Sequence, residues 1–185
     1  NKKYYGEEPN MEGSKRDCTE QDMDELFEMF NTWMEDGIIH MGCRPSWLPP
    51  APVKTQDFCE IAGVHVINGK TFSKWKDEVD WNFVKVAEDS MLNLECLIRG
   101  YVNRRTDEFP AEMGMWQEGG CSEFRDAKVH HDENMKLATH PRYRDFVYMK
   151  KDVEVKHLGM ISHFKFKYKE AYESSKYQNK LNEFI

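Results

Sequence analysis

The sequence predicts a small α+β domain, and three observations indicate that class. At 185 residues the chain is long enough for one domain and short for two. Two stretches carry apolar residues at helical spacing, and two others carry the β-branched or alternating pattern of strands. We therefore expect a small, mainly antiparallel sheet packed by two or three helices. A polar N-terminal arm over 1–18 would precede a single α+β domain over 19–185.

The first predicted helix covers residues 19–36. Thr19 and Asp22 have the spacing of a capping box, in which each residue satisfies a backbone N–H group of the other. Gly37 is the residue type that commonly ends a helix. One face of this helix collects the apolar side chains Met23, Leu26, Phe27, Phe30, Trp33 and Met34.

A proline-rich stretch and a hairpin are expected next. Residues 38–57 hold four of the seven prolines, which argues against a helix and for an irregular segment, at best an edge strand. In the stretch over 60–75, Asn68 and Gly69 form the pair that favours a two-residue hairpin turn. The expected sheet combines this hairpin with later strands.

The second half of the chain alternates between expected helices and strands. Apolar spacing predicts a long helix over 80–104, followed by a loop over 106–122 and a short strand over 123–130. Strands are expected over 146–168, because Phe164, Phe166 and Tyr168 alternate with lysines. A final helix is expected over 169–183.

Composition predicts either a thin core or a chain that completes its burial against a partner. Leu, Ile and Val number 26, against 24 aromatic residues and 11 Met. The net charge of −7 is unevenly distributed. Residues 1–123 carry 13 Lys and Arg against 24 Asp and Glu, whereas residues 124–185 carry 13 against nine. This asymmetry is compatible with solvated faces of one domain, with an internal match of the two halves, or with faces for different partners.

Cysteine and hydropathy patterns bear on the compartment. The five cysteines are unevenly spaced, which favours reduced thiols and an intracellular, reducing compartment. We expect the cytoplasm, or an organelle after removal of a transit peptide, since the chain begins at Asn1. No apolar run approaches the length of a membrane span.

The leading functional hypothesis is a non-catalytic accessory or structural subunit of a larger intracellular assembly. Its acidic N-terminal region and its basic, aromatic C-terminal face would bind other protein subunits, with nucleic acid as a further partner. The sequence contains no glycine-rich phosphate loop, Gly-x-Ser-x-Gly elbow or His-Glu-x-x-His motif. For nucleic acid, lysines and aromatic rings would contact phosphates and bases. The residues predicted for that contact are Arg142, Arg144, Lys165, Lys167, Lys169, Phe164, Phe166 and Tyr168.

A first alternative is a nuclease that depends on a divalent metal. Asp107 followed by Asp126-Ala-Lys128 resembles the acidic residue and Asp/Glu-x-Lys pair of a large nuclease superfamily. Asp107, Asp126 and Lys128 would be catalytic, with the carboxylates binding Mg²⁺ or Mn²⁺. Glu95 and Glu123 would complete the metal ligands. The resemblance covers about 35 residues, and the proline follows the acids, where the superfamily has it before them.

A second alternative is a small zinc-stabilised protein that binds nucleic acid. His40 and Cys43, then Cys59 and His65, are two donor pairs separated by 15 residues, which is typical of a structural zinc site. The six-residue spacing of the second pair would require its strand to bend or to begin after Cys59. The sequence therefore leaves three possibilities for the cofactor, which are zinc, Mg²⁺ or Mn²⁺, and no metal. A histidine-rich run over 129–133 is a further, weaker metal candidate.

Overall fold

A computed structural model describes residues 2–4, 15–46, 48, 53–112, 126–155 and 159–182, and within them it has a small α+β fold. The strands are β1 (Lys2–Tyr4), β2 (Lys15–Asp17), β3 (His40–Pro45), β4 (Thr55–Asp57), β5 (His65–Ile67), β6 (Asn103–Ala111), β7 (Val147–Val155) and β8 (Gly159–Phe166). The α-helices are α1 (Glu20–Glu35), α2 (Gly69–Phe72), α3 (Glu88–Ile98), α4 (Ala127–Thr139) and α5 (Tyr168–Asn182), and a 3₁₀ turn covers Lys76–Glu78.

Helix α1 confirms the predicted capping box. The Thr19 hydroxyl accepts from the Asp22 backbone N–H at 3.2 Å, and the Asp22 carboxylate accepts from the Thr19 N–H at 2.8 Å. The helix ends before Gly37, whose φ of +86° suits the left-handed region that glycine tolerates. Leu26, Phe30 and Trp33 are buried, as the helical spacing predicted, but Phe27, which was expected on the same face, is 55 % exposed.

The central sheet has the strand order β4-β6-β3-β5. β3 pairs in parallel with β6, and the other two pairings are antiparallel. The prediction for 38–57 is therefore wrong over 40–45, because β3 is an inner strand with every residue buried. Pro45 is the last residue of that strand, where a missing N–H group does not interrupt the ladder.

The predicted hairpin turn at Asn68 and Gly69 is also wrong. The Asn68 side chain instead accepts from the Thr71 backbone N–H at 3.2 Å and caps α2. Asparagine is favoured both in tight turns and at helix N-caps, so the local sequence does not separate the two. The preceding strand β5 pairs with β3 rather than with a later strand.

The helix predicted over 80–104 is shorter, because α3 covers only Glu88–Ile98. Ala87 has a left-handed φ of +72° directly before it, and Arg104 and Arg105 belong to β6 instead of a last helical turn. The first residues of the predicted loop over 106–122 likewise continue β6, up to Ala111. The described part of the predicted strand over 123–130 lies in α4 and its N-cap.

The C-terminal third agrees with the predicted strands and helix. β7 and β8 pair antiparallel, and α5 follows directly. Phe164 is buried and Lys165 is exposed, as predicted, whereas Phe166 and Lys167 are both half-buried, and Tyr168 begins α5 instead of continuing the strand. These strands form their own two-stranded sheet and do not join the central one.

The hairpin formed by β7 and β8 shares one hydrophobic core with helices α3, α4 and α5. Buried apolar residues from α3, α4, β8 and α5 make up this cluster, and they include Leu94, Leu97, Leu137, Phe164 and Ala171. A second cluster joins α1 to β3 and β6 through Phe30, Met41 and Phe109. In the N-terminal arm, β1 and β2 pair antiparallel, and β1 lies against β6.

Candidate functional site

The outward surface of the β7–β8 hairpin, here called the hairpin face, consists of Tyr148, Lys151, His163, Lys165 and Lys167. The strand register places Tyr148 opposite Lys165 and Lys151 opposite His163. The Lys167 ammonium group lies 5.2 Å from the centre of the Tyr148 ring, which is a cation–π distance. The face is therefore basic and carries an aromatic ring that a lysine already contacts.

Exposed apolar side chains lie on both sides of this hairpin. Three of the six large hydrophobic side chains exposed in the described part of the chain lie on the hairpin. They are Tyr148, Met149 and Met160, and they are 38, 48 and 61 % exposed. Exposed Met residues are typical of adaptable protein-binding surfaces. The hairpin thus combines positive charge with accessible apolar groups.

The residues predicted for nucleic-acid contact are divided by the fold. Arg144, Lys165 and Lys169 are exposed, as a phosphate contact requires. Phe164 and Tyr168 are only 6 and 8 % exposed and belong to the core, so they cannot stack on bases. The other three are Phe166, which is half-buried and stacks on Tyr168, Lys167, which contacts Tyr148, and Arg142, which is paired with Glu95. The ring that the hairpin exposes, Tyr148, was not among the predicted residues.

Glu95 is the centre of a buried ion cluster rather than a member of an open carboxylate site. Its side chain is 1 % exposed. Arg142 binds it with two groups, Nε to Oε1 at 2.6 Å and Nη2 to Oε2 at 3.1 Å. Tyr143 donates its hydroxyl to Oε1 at 2.5 Å, and Arg99 forms an ion pair with Oε2. Burial raises the pKa of Tyr143, which keeps its hydroxyl protonated as a donor.

A cleft of about 320 Å³ lies between α3, α4 and β8. Its polar lining is Glu60, Glu88, Asp89, Ser90, His130, Asn134, Ser162 and His163. The pKa of Glu60 is raised because protein surrounds its carboxyl group and because Asp89 lies nearby, although more than a third of the residue stays open to solvent. Active sites commonly combine convergent polar groups with a perturbed pKa, so this cleft is the candidate for a catalytic site.

The first group is a pair of histidines that lie behind Asp89, a residue of the cleft lining. His40 Nε2 and His65 Nδ1 are 2.8 Å apart, and His65 Nε2 lies 2.8 Å from the Asp89 carboxylate. Burial, and secondarily His65, lower the pKa of His40 to about 3, so His40 is neutral. Neutral His40 donates its Nε2 proton to His65 Nδ1. The contact of His65 Nε2 with Asp89 is an ion-pair distance without hydrogen-bond geometry, and the buried His40 Nδ1 has no hydrogen-bond partner among the described residues.

The second group joins Asp152, Ser162 and His131. The Ser162 hydroxyl lies 2.9 Å from Asp152 and 2.7 Å from His131 Nδ1. A hydroxyl has one proton, and an ionised carboxylate only accepts, so Ser162 donates to Asp152 and accepts from His131. In a nucleophilic triad the histidine stands between the other two residues and takes the serine proton. Here the serine stands in the middle, and His131 does not act as its base.

The predicted nuclease residues belong to separate networks. On β6, Asp107 is 5 % exposed and lies 3.3 Å from the Nε atoms of both Arg44 and Arg105. Burial raises the pKa of Asp107, and Arg105 and Arg44 oppose that shift. Glu95 shares none of these contacts, and Glu123 lies outside the described residues.

Asp126 and Lys128 lie at the start of a helix, which corrects the strand predicted for them. Asp126 is the N-cap of α4 and accepts from the Val129 backbone N–H at 2.7 Å. Lys128 pairs with Asp132 one helical turn later. A capping carboxylate and a surface ion pair account for both residues, and the nuclease hypothesis stays a prediction.

The predicted zinc donors do not assemble either. His40 and His65 meet, but through a direct nitrogen–nitrogen contact. Cys43 is three residues from His40 on the same strand, so the two side chains lie on opposite faces of the sheet. Cys59 donates its thiol to the Gln56 carbonyl at 3.2 Å, and burial raises its pKa to about 12. Across the described ranges, no group of three or more His, Cys, Asp or Glu side chains is arranged to hold a metal ion.

The comparisons with known proteins add no relative. The chain matches no protein-family model, no curated protein and no solved structure. Among the described residues, no helix combines the length and apolar character needed to cross a membrane. The fold and the contacts above are therefore the basis for any functional proposal.

Proposed function

We propose that this chain is a non-catalytic accessory subunit of a larger intracellular assembly, which docks an acidic, partly apolar segment of a protein partner on its hairpin face. The observation that carries the proposal is the composition of that face. Lys165 lies opposite Tyr148, Lys167 contacts its ring, and Lys151 lies further along the same face, whereas exposed Met149 and Met160 project from the other side of the hairpin. A protein segment with carboxylates against the lysines and apolar side chains that reach the hairpin edge would satisfy both features.

A protein partner suits this surface better than a nucleic acid does. Sequence-tolerant binding of single strands uses several aromatic rings as stacking platforms. Two of the three predicted rings, Phe164 and Tyr168, are buried, and Tyr148 is already covered on one side by Lys167. The exposed methionines have no counterpart in phosphate recognition, whereas they pack well against apolar side chains.

The acidic helix α1 offers a second contact surface for a basic partner. Its exposed side carries several carboxylates around Phe27, which is 55 % exposed. The surrounding acidic residues are Glu20, Asp24, Glu25, Glu28 and Glu35. With an acidic surface on α1 and a basic surface on the hairpin face, the chain could join a basic partner to an acidic one.

The arrangement at the cleft supports a non-catalytic role. Ser162, which lines the cleft, donates to a carboxylate instead of being activated by a base, and His65 lies outside the lining with its Nδ1 in contact with His40. The buried thiols of Cys43, Cys59 and Cys96 are not in disulfides, which supports a reducing compartment.

Site-specific photo-crosslinking in the native cells tests the proposal. Lys165→p-benzoylphenylalanine places the probe on the hairpin face, and Lys128→p-benzoylphenylalanine is the matched control on an exposed lysine of α4. We expect a crosslinked protein of defined mass from position 165 that is absent from position 128. Mass spectrometry should locate the crosslink in a segment rich in Asp and Glu.

The other outcomes each overturn the proposal. Crosslinks to RNA or DNA would assign the face to nucleic acid, and crosslinks to a second copy of the chain would assign it to self-association. Equal crosslinking from both positions would show that the hairpin face is not selective. No crosslink from position 165 would mean that the face docks nothing.

A further inference from the structure

A second cavity, of about 420 Å³, lies away from the hairpin face and has a cationic lining. It is formed by the segment before the 3₁₀ turn, the end of α3, the turn after α4 and one residue of α5. Its charged and aromatic lining comes from Lys74, Trp75, Glu78, Arg99, Tyr101 and Arg142. The volume falls in the range of small-molecule sites and is larger than a single phosphate ion requires.

Glu95 holds the two arginines of this cavity in fixed positions. Arg142 is bound through two groups and Arg99 through one, and the carboxylate that they share is 1 % exposed. Arg99 also lies over the Trp75 ring, 4.6 Å from its centre, and its Nη2 contacts Glu78 at 3.1 Å. Both guanidinium groups are therefore preorganised, which lowers the entropic cost of binding a ligand.

The cavity has positive charge in excess. Three cations, Lys74, Arg99 and Arg142, line it. Two anions lie near them, the buried Glu95 and Glu78, which is 65 % exposed. Burial lowers the pKa of Arg99, and the positive charge of the nearby Arg142 lowers it further because the two cations repel each other. A bound anion would relieve this repulsion.

Both guanidinium groups have hydrogen-bond capacity left. A guanidinium has five N–H donors. The contacts recorded among the described residues engage two nitrogen atoms of Arg142 and two of Arg99. The forked geometry of arginine matches the oxygens of a phosphate group, and Lys74 adds a mobile positive charge at the rim.

We propose that this cavity binds a small phosphomonoester. The phosphate group contacts Arg99, Arg142 and Lys74, and the organic group occupies the remaining volume beside the half-buried ring of Tyr101. The site is independent of the hairpin face, because no residue lines both. Binding here adds a ligand-dependent function to the proposed subunit.

Calorimetric titration and thermal shift of the whole chain test this site. The probes are adenosine 5′-monophosphate, inorganic phosphate, acetate and adenosine, each at millimolar concentration. We expect the monophosphate to raise Tm and to bind more tightly than inorganic phosphate, with no effect of acetate or adenosine.

Lys74→Gln is the main variant, because Lys74 is exposed and its loss leaves the Glu95 cluster intact. Losing one phosphate contact of this kind should weaken binding about fivefold, which corresponds to about 1 kcal/mol. Lys70→Gln, four residues earlier and also exposed, is the matched control and should bind like the parent chain. Arg99→Lys keeps the charge but loses the fork, and it should weaken binding about tenfold.

The contrary results are distinct from one another. Equal weakening in Lys74→Gln and Lys70→Gln would show general charge attraction instead of a site. Acetate binding as tightly as the monophosphate would show that the site recognises a carboxylate instead of a phosphate group. Binding of inorganic phosphate but not of the monophosphate would show that the cavity does not accommodate an organic group. The absence of any shift with the monophosphate in the parent chain would overturn the site altogether.

Discussion

Two glutamates that contact the same arginine should differ greatly in their contribution to stability. Glu95 and Glu78 both pair with Arg99, but their side chains are 1 and 65 % exposed. Glu95→Gln keeps the shape and removes the charge, which leaves Arg142 without its counterion and Arg99 with only the exposed Glu78. Removing one partner of a buried ion pair costs about 3–5 kcal/mol. Because Arg142 is 39 % exposed and solvent screens it, we expect about 3 kcal/mol for Glu95→Gln.

Glu78→Gln is the matched control, since it removes the same type of charge from the same arginine at the surface. An exposed ion pair contributes about 0–1 kcal/mol, so its loss should cost about 0.5 kcal/mol. In a chain of this size, the two changes should lower Tm by about 6–12 °C and by about 1–2 °C.

Urea unfolding followed by tryptophan fluorescence measures the two free energies of unfolding. The slope with urea should be the same in all three proteins, so that the midpoints report stability alone. The reasoning fails if the two variants are equally stable, or if Glu95→Gln loses less than about 1 kcal/mol. Either result would mean that the arginines are neutralised by solvent and not by the buried carboxylate.

Three further changes follow from local contacts. Thr19→Ala should lower the free energy of unfolding by about 1 kcal/mol through loss of the α1 cap, with Thr19→Ser nearly neutral, as urea unfolding would show. Gly42→Ala should destabilise the chain by about 2 kcal/mol or more, because the added methyl group would overlap the Ile61 side chain and the Val64 carbonyl. Gly69→Ala, which meets nothing within 4 Å, should be neutral or slightly stabilising in the same assay. His40→Gln should reduce the loss of stability between about pH 7.5 and 5 by about 2 kcal/mol, measured by urea unfolding at both pH values.

The sign of the pH effect follows from the lowered pKa of His40. In the unfolded chain His40 takes a proton near its ordinary pKa of 6.5, whereas in the fold it does so only near 3. Its neutral burial therefore adds stability above pH 6.5, and this contribution decreases as the pH falls from 6.5 toward 3. A variant with the same acid sensitivity as the parent would contradict this account.

The other two expectations have equally direct refutations. Thr19→Ser as destabilising as Thr19→Ala would show that the hydroxyl cap is not what stabilises α1. Equal effects of alanine at Gly42 and Gly69 would show that the close approach of β3 to the Ile61–Val64 segment is not a steric constraint.

Sequence reasoning succeeded where the determining contacts are local. The α1 cap joins residues three apart, and the alternation along β8 records which side of one strand is buried. It failed at Asn68, whose side chain serves a turn or a helix cap equally well, and at 40–45, where prolines suggested an edge. At 40–45 the deciding partners are distant in the chain, since β3 is enclosed by β5 and β6, whereas at Asn68 the partner is local and the same residue type suits both outcomes.

The candidate sites show the same division. The basic character of the C-terminal third was predictable, because charge is a property of composition. The burial of Phe164 and Tyr168, and the exposure of Tyr148, depend on which face of the hairpin packs on α3, α4 and α5. Tyr148 could have been found from its alternation with Val147 and Met149, had the strand register been known.

The sequence by itself determined the α+β class, the first and last helices, the C-terminal strands and the asymmetry of charge, because short-range periodicity and composition encode them. Only the tertiary structure decided which charges are neutralised. Glu95 and Arg142 are 47 residues apart, as are Asp57 and Arg104. Folding brings such pairs together through non-local packing. The positive charge that these pairings leave in excess lies in the cationic cavity and on the basic hairpin face.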